Sequence, residues 1–530
     1  MNKITTYLNQ HIVGNVFEKA SILEPYAFDR SVYKIMPRFV ALPESTQDVR
    51  KLVRFVDQLA MKNFHLPIAV RGSGLDKTGA DLTSGIVIST EKLNHIQEID
   101  AHDRLVRVQA GVTLGQLNTA LSLHGLTLPI CADPRETIGS LIANCPVDDY
   151  SAKYGGITKF VNRVEFVLAN GEIIQTAKLR KRALDKKKGL TNSEGVLYRN
   201  LGNLLNDYAD AISFIANNNF DNAGYPNIVR VYRQKNKTFD ILPLLYGSQG
   251  TLGIITEVIL ECDVIPTENK HLIASFGSVK TAMEFLNLAR FLKPAELNMY
   301  DTRIITAVEE SGKRPELLTR KLDEVGGFIV VVGFDDSPRK NHKKIQKCIA
   351  ALPKSANPIV ETSENSAAFG DIHSALISYL NDITKGERVP VADDFYVPVS
   401  EFASFMEDIT ALETELKRPL HLYGSYNSGN FNIRPDINLS TEEGRQFAFD
   451  FAKKIDELLV KHHGSFTGGM PEGRSKAFVA ERYTDRLKKL YEAIKATFDP
   501  YNIYGSDCKI NADKSDLKHV RTEPGNHIVL

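Results

Sequence analysis

Apolar residues recur along this chain in two distinct periods. Over 46–61, Val49, Leu52, Val53, Val56 and Leu59 fall three or four residues apart, which lines one face of a helix. Ser45 stands ahead of that run with Asp48 three residues on, a pairing that caps a helix start. Leu66, Pro67, Ile68, Ala69 and Val70 form a short unbroken apolar run and read as a buried strand. The runs 85–90 and 105–110 read the same way, and 112–123 reads as a helix that Gly125 stops. Apolar runs at 164–169 and 172–176 flank Asn170 and Gly171, the signal for a tight hairpin. A strand at 252–261, followed by Pro266, ends the first half. The second half predicts strands at 272–276, 328–333, 395–398 and 420–423, and helices at 279–291, 339–352, 401–416 and 442–463. Interleaved in this way, they predict an α+β unit.

The strand at 66–70 runs into Arg71, Gly72, Ser73, Gly74, Leu75, Asp76, Lys77, Thr78 and Gly79. Glycines this dense let the backbone turn tightly and aim several N–H groups at one point, a nest that binds anions such as a pyrophosphate. The spacing from Gly74 to Gly79 is that of a triphosphate loop, but Ala80 and Asp81 stand where the lysine and hydroxyl are required. Lys77 occupies the third glycine position of the dinucleotide fingerprint, so that pattern fails too. Taken alone, the loop is equally compatible with an ordinary glycine-rich turn.

Other motifs follow in a fixed order. Thr137, Ile138, Gly139 and Ser140 come first, then Asn144, then Tyr154, Gly155 and Gly156. The segment 246–257 holds Gly247, Gly250, Gly253 and Ile254. The approach to the loop (37–49) and the end of the chain (498–503) fit the same order. This order resembles the FAD-linked oxidases of the vanillyl-alcohol oxidase type, in the branch of glycolate oxidase subunits and D-lactate dehydrogenases. The resemblance runs from about 29 to 510. It implies an α+β protein: a two-lobed FAD-binding domain of the PCMH type at 35–265, then an α+β FAD-oxidase C-terminal cap at 266–512. Residues 1–34 would be an N-terminal extension and 513–530 a tail, with a longer insert at 177–238. The Arg71 loop would hold the pyrophosphate and 137–140 would approach it from the second lobe. Asn144, Tyr154, Gly155, Gly250, Gly253 and Ile254 would complete the FAD site. Many such proteins tether the flavin through a histidine just after the loop glycines; Leu75 stands there, so non-covalent FAD is expected.

Composition narrows the picture further. Lys plus Arg equals Asp plus Glu at 65 each, so no global field recruits nucleic acid. The cysteines, Cys131, Cys145, Cys262, Cys348 and Cys508, are odd in number and widely spaced, as expected of reduced cytoplasmic thiols. The first residues lack the apolar core of a signal peptide, and no apolar run is long enough to cross a bilayer. A basic run, Lys178, Arg180, Lys181, Arg182, Lys186, Lys187 and Lys188, reads either as a solvated helix or loop or as a contact for an anionic membrane or acidic partner.

The cap departs from the resemblance. Metal-using relatives carry two histidines in a frame that here runs from Gly424 to Pro435; Ser425 and Asn432 take their places and are poor ligands for zinc or iron. No metal is expected. In a second frame, 468–474, Gly469 and Met470 replace a glutamate and a base histidine. Glu472 and Arg474 are the nearest remaining ionisable groups, Glu472 being either a base or a solvated loop carboxylate. Arg434 reads as a carboxylate clamp or a structural ion pair, with Tyr423 and Asn430 as further pocket candidates. His462 and His463 fall at a helix end and read as cap or surface residues. The segment 373–380 lacks the arginine that relatives often place there.

The resulting expectation is FAD-dependent dehydrogenation of a small alcohol, a 2-hydroxy acid as in D-lactate dehydrogenases, with hydride passing to flavin N5. Electrons would then go to oxygen, a quinone or a protein. The alternative is a flavin-binding protein without turnover, or a partner subunit, since the base and ligand histidines are replaced.

Overall fold

The computed structural model describes residues 3–218, 222–304, 327–362, 389–513 and 517–522. The segment 373–380, where an arginine was sought, lies outside the described residues.

Among the described residues, the first half holds two larger sheets. In one, Asn15–Phe17, Phe39–Leu42, Ile86–Ser89 and Ile68–Arg71 lie side by side, the last three strands parallel. The helix Thr46–Ala60 packs on it through Val49, Leu52, Val53 and Val56, all fully buried. Ser45 caps that helix by accepting from Asp48 N. The Asp48 carboxylate turns away to accept from the amides of Val13, Gly14 and Glu44. The first residues are thereby tied into this lobe: Leu8, Ile12 and Val16 are part of its core.

The other sheet orders Ile96–Asp100, Leu105–Gln109, Ile254–Glu261, Val161–Val167 and Ile173–Gln175, all antiparallel. The expected hairpin is present, with Gly171 at φ +79 in the turn. The expected helix is Leu114–Ser122, closed at its start by a capping box of Thr113 and Gln116. The insert is helical over Lys181–Lys188, Ser193–Asp207 and Ala209–Asn217. The basic helix Lys181–Lys188 buries none of its residues, whereas Leu197, Tyr198 and Leu201 seat the next helix on the core.

The second half centres on an antiparallel sheet ordered Ile359–Val360, Lys270–Phe276, Phe328–Phe334, Glu296–Asp301, Leu420–Ser425, Asn430–Pro435 and Ala392–Tyr396. Helices Val279–Phe291, Pro338–Ala351, Phe402–Leu416 and Glu442–Lys461 share its core. The strands Glu296–Asp301 and Asn430–Pro435 were not among those read from the apolar pattern. The chain then returns: helix Asp485–Phe498 buries Leu487, Leu490, Tyr491 and Ile494 in the core of the five-stranded sheet. Ile503 and Tyr504 join the core of the parallel sheet.

Candidate functional site

The parallel strand Ile68–Arg71 delivers the loop 72–79 to the mouth of a cleft. Gly74 (φ +75) and Gly79 (φ +77) turn through left-handed backbone. A Cβ on Gly74 would lie 2.2 Å from an Arg71 guanidinium nitrogen, so the loop is wrapped directly on that side chain. Arg71 is buried and pairs with Asp81 at 3.3 Å. Asp76 ties the far side of the loop, accepting from the amides of Thr78 and Ala80 at 2.9 Å each. The amides of Gly72, Ser73, Gly74 and Leu75 have no hydrogen-bond partner among the described residues, and the Ser73 hydroxyl is buried without one. Such donors are costly to leave unmet, and an anionic group held at the loop would meet them.

The opposite wall begins at Thr137, whose hydroxyl caps helix Ile138–Asn144 by accepting from Ser140 N at 3.3 Å. A Cβ on Gly72 would come within 2.4 Å of that hydroxyl. Only a glycine lets the two bends approach this closely. The third wall is 248–253, locked by Gln249, which donates to Thr78 Oγ1 and accepts from Gly473 N, both at 2.9 Å. Gly72, Ser73, Gly74, Leu75, Asp76 and Lys77 line the cleft from the loop. Thr137, Gly139, Ser140, Asn144, Gly250 and Gly253 line it from the other walls.

Several expected residues stand elsewhere. Arg71 supports the loop from behind, and Thr78 and Gly79 face the bonds to Gln249 and Arg474. Ile138 and Ile254 are fully buried core. Tyr154 bonds Asp335 of the cap and Gly155 ends a short helix at φ +92, so neither lines the cleft. Glu136 and Asp394, which the motifs did not single out, and Met470 also line the cleft. Met470 thus faces the cleft from the position where a base histidine was expected.

A second cavity adjoins the first, and Lys77, Glu136, Pro146 and Asp394 line both. Tyr423, Ser425, Asn430 and Asn432 enter it from the cap strands Leu420–Ser425 and Asn430–Pro435. Burial pushes Glu136 up to about 7, against the charges of Arg30 and Lys77. Burial, with Asp149 adjacent, also brings Asp148 up to about 7. Asp133 goes the other way: burial opposes ionisation, but bonds from Arg135 and the charge of Arg30 hold it at about 2. For Lys77, burial is outweighed by Asp394 and Asp393, which keep the ammonium protonated.

The remaining candidates have other partners. Arg434 grips Asp393 with both arms of its fork, at 3.0 and 2.5 Å, so the structural ion pair is what forms and the fork does not face the chamber as a clamp. Glu472 is neither solvated nor at the chamber. It is buried, accepting from Lys509 Nζ and from Gly224 N at 2.8 Å each, and it lines neither cavity. Arg474 donates to Gly79 O at 3.0 Å and Leu82 O at 2.9 Å, pinning the cap loop onto the glycine loop. Buried Lys476 donates to Asp393 O and Phe466 O, and burial lowers its ammonium to about 8. His462 is buried against Asp408 and Ser404, and His463 is exposed.

Sequence reasoning missed Glu136, Asp148, Asp149, Asn298 and Tyr300 as chamber residues. Glu136 had a usable signal, since it directly precedes Thr137. The others are brought in from separate elements.

Residues 37–177 match the FAD binding domain family, and residues 265–506 match the C-terminal domain of FAD linked oxidases. The chain is 23% identical over 497 residues to the D-2-hydroxyglutarate dehydrogenase of Pantoea ananatis, covering 89% of this chain and 48% of that protein. It is 25% identical over 492 residues to the D-lactate dehydrogenase of Archaeoglobus fulgidus, covering 91% of this chain and 94% of that one. It spans about half the length of the D-2-hydroxyglutarate dehydrogenases it matches. In fold it is similar to the 4-ethylphenol oxidase of Gulosibacter chungangensis, with a TM-score of 0.67, 16% identity, and 94% and 95% of the two chains covered.

Proposed function

We propose that this chain, which belongs to the FAD-linked oxidases, is a FAD-dependent oxidoreductase that dehydrogenates the CH–OH group of a small 2-hydroxy acid. The observation that carries the reading is the junction: a cleft with unmet loop amides opens into a second chamber across Lys77, Glu136, Pro146 and Asp394. We take 35–265 as the FAD-binding unit and 266–512 as the cap. FAD, when bound, supplies a hydride acceptor at N5. The amides of 72–75 would hold its diphosphate and Gly72, Gly139 and Gly250 would admit its length. Among the described residues lining this cleft there is no histidine, cysteine or tyrosine to form a tether, which supports non-covalent binding.

The chain's own groups supply the rest. Glu136 takes the hydroxyl proton on a carboxylate oxygen, since it lines both cavities and ionises near neutrality. Lys77 spends its ammonium on Asp393 and Asp394 and retains a third N–H for the substrate carboxylate. Tyr423 and Asn430 orient the substrate from the cap. Glu472, Arg474 and Arg434 are positioning residues. Ser425 and Asn432 are poor transition-metal ligands, so the reaction is read as metal-free. The electron acceptor is oxygen, a quinone or a protein.

No helix among the described residues is long and apolar enough to cross a membrane. Five free cysteines support a cytoplasmic placement. The exposed helix Lys181–Lys188 is the surface for any contact with an anionic membrane.

A second reading, flavin binding without turnover, is favoured by Met470 at the base position. One experiment decides. The purified protein should be yellow and should release its flavin on heat denaturation. Anaerobic mixing with a panel of 2-hydroxy acids should then bleach the flavin band. Bleaching by none of them supports the second reading, and a colourless protein that takes up no FAD overturns both.

A further inference from the structure

The insert gathers positive charge on one exposed surface. Lys178 and Arg180 are exposed on either side of buried Leu179. A three-stranded sheet orders Leu179–Arg180, Thr238–Phe239 and Tyr232–Arg233. Its register sets Arg180 and Arg233 on either side of Thr238, on one face, while Leu179 and Phe239 are buried on the other. The turn 234–237 between the last two strands adds Lys235 and Lys237, both exposed. Helix Lys181–Lys188 follows Arg180 directly and exposes Lys181, Arg182 and Lys186. The cations therefore extend two ways from Arg180: across the sheet to Arg233, about 10 Å away, and along the helix for about 12 Å.

The folded chain makes no use of this charge. None of these eight side chains forms an ion pair or a hydrogen bond with a described residue. Lys187 on the same helix does pair, with Glu194. Asp185 is the single carboxylate in 178–188, and 230–238 holds none. Arg182 and Lys186 stand four apart on the helix, a like-charged spacing that destabilises it. Lys181 and Arg182 lie in its first turn, where cations oppose the helix dipole, and no carboxylate offsets them there. Charge held at a cost to the helix that bears it points to a partner outside the chain.

We propose that this face docks the protein on an anionic lipid surface. The proposal extends the contact assigned above to the helix by adding the sheet and its turn, and it does not depend on the dehydrogenation. Charge and composition decide the occupant. Clusters of roughly four to eight Lys and Arg on one surface are what anionic headgroups attract. Five of the eight cations are lysines, point charges on flexible stems that suit mobile headgroups better than the fixed carboxylates of a folded partner. A protein interface has an apolar centre poor in lysine, whereas here Arg180, Thr238 and Arg233 stand at the centre. A nucleic-acid surface brings net positive charge to its domain, whereas Lys plus Arg equals Asp plus Glu over this chain at 65 each. The attraction is thus local to this face, and it fixes which side of the protein meets the lipid.

The test is co-sedimentation of the full chain, with FAD in excess, with vesicles of phosphatidylcholine alone and of phosphatidylcholine with an equal part of phosphatidylglycerol. The protein should pellet with the anionic vesicles only, and less as salt is raised. Two separate variants each remove three charges: Lys181→Gln with Arg182→Gln and Lys186→Gln, and Arg233→Gln with Lys235→Gln and Lys237→Gln. At about fivefold per cation, each should weaken vesicle binding about 100-fold. Both should keep the absorption spectrum and the substrate bleaching of the parent, and the helix variant should melt no lower than the parent. Should one variant fail to fold, the other still decides. Duplex DNA and polyglutamate are measured in parallel at the same salt. The proposal is overturned by no pelleting with anionic vesicles, by equal pelleting with both kinds, or by a folded triple variant that binds as the parent does. Tighter binding to DNA or polyglutamate than to the vesicles also overturns it, and assigns the face to a nucleic acid or an acidic protein. Bleaching is read separately, so its failure would count against the dehydrogenation and leave the vesicle result standing.

Discussion

Glu136 stands at the junction of the two cavities with Arg30, Asp133, Lys77 and Asp394 as its charged neighbours. Its pKa of about 7 has two consequences of opposite sign. As a base it must be ionised, so the rate of flavin reduction should rise with pH through about 7 and then level off. Glu136→Gln should lose about 100-fold or more and flatten that profile, as stopped-flow measurement across pH 5.5–9 would show. For stability, a carboxyl raised in the folded state favours folding while protonated. That contribution is present at low pH and is lost as pH rises through about 7. The same substitution should therefore raise the melting temperature at pH 8 more than at pH 5.5, checked by thermal denaturation. A side chain that weakens the fold where it works is what a functional site leads one to expect. Glu136 was within reach of the sequence, as its neighbours Thr137 and Gly139 were. The displaced roles of Glu472 and Arg474 were not, because burial and an ion pair to Lys509 depend on two segments 37 positions apart meeting in the fold.

At the scale of elements, the cap strand 420–423 was read from the sequence, but two other strands that carry the chamber were not. In Glu296–Asp301, Leu297 and Met299 enter the core while Glu296, Asn298 and Tyr300 stand on the chamber side, Asn298 bonding to both of the others. In Asn430–Pro435, Phe431 and Ile433 enter the core and Asn430 and Asn432 line the chamber. Leu297 and Met299, and Phe431 and Ile433, do alternate with polar residues at period two, but over segments too short to stand out beside the unbroken apolar runs that marked the other strands. By contrast, Thr46–Ala60 was legible from its stripe and its cap, because nothing but packing acts on it. Two substitutions there measure different ties. Ser45→Ala removes one cap and should cost about 1 kcal/mol. Asp48→Ala takes the acceptor from the amides of Val13, Gly14 and Glu44 and should cost clearly more, since an orphaned buried donor such as Gly14 N is by itself worth roughly 1–3 kcal/mol. Denaturant unfolding of the two variants, each measured with FAD in excess, gives the order.

For the whole molecule, the segment after the cap closes the structure. Helix Asp485–Phe498 packs in the first half, and Lys509 reaches back to Glu472 and to Gly247 O. Apart from Lys509 and Glu472, which are 37 positions apart, these pairings join residues hundreds of positions apart, and neither apolar period nor motif spacing carries that information. They also decide how the protein should respond to injury. The Glu472–Lys509 pair is buried on both sides, so removing one partner strands the other charge. Lys509→Met should cost roughly 3–5 kcal/mol, and the double change Glu472→Gln with Lys509→Met clearly less than the sum of the singles. The pair sits beside Gly473, whose amide bonds Gln249 on the cleft wall, while Arg474 holds Gly79 of the loop. Loosening it therefore loosens two of the walls that would hold the cofactor. FAD at 100 times its dissociation constant adds about 2.7 kcal/mol to the folded state. Lys509→Met should forfeit part of that increment as well, so its loss of melting temperature should be larger with FAD present than without. An equal loss in both conditions would confine the ion pair to folding alone and uncouple it from the cleft.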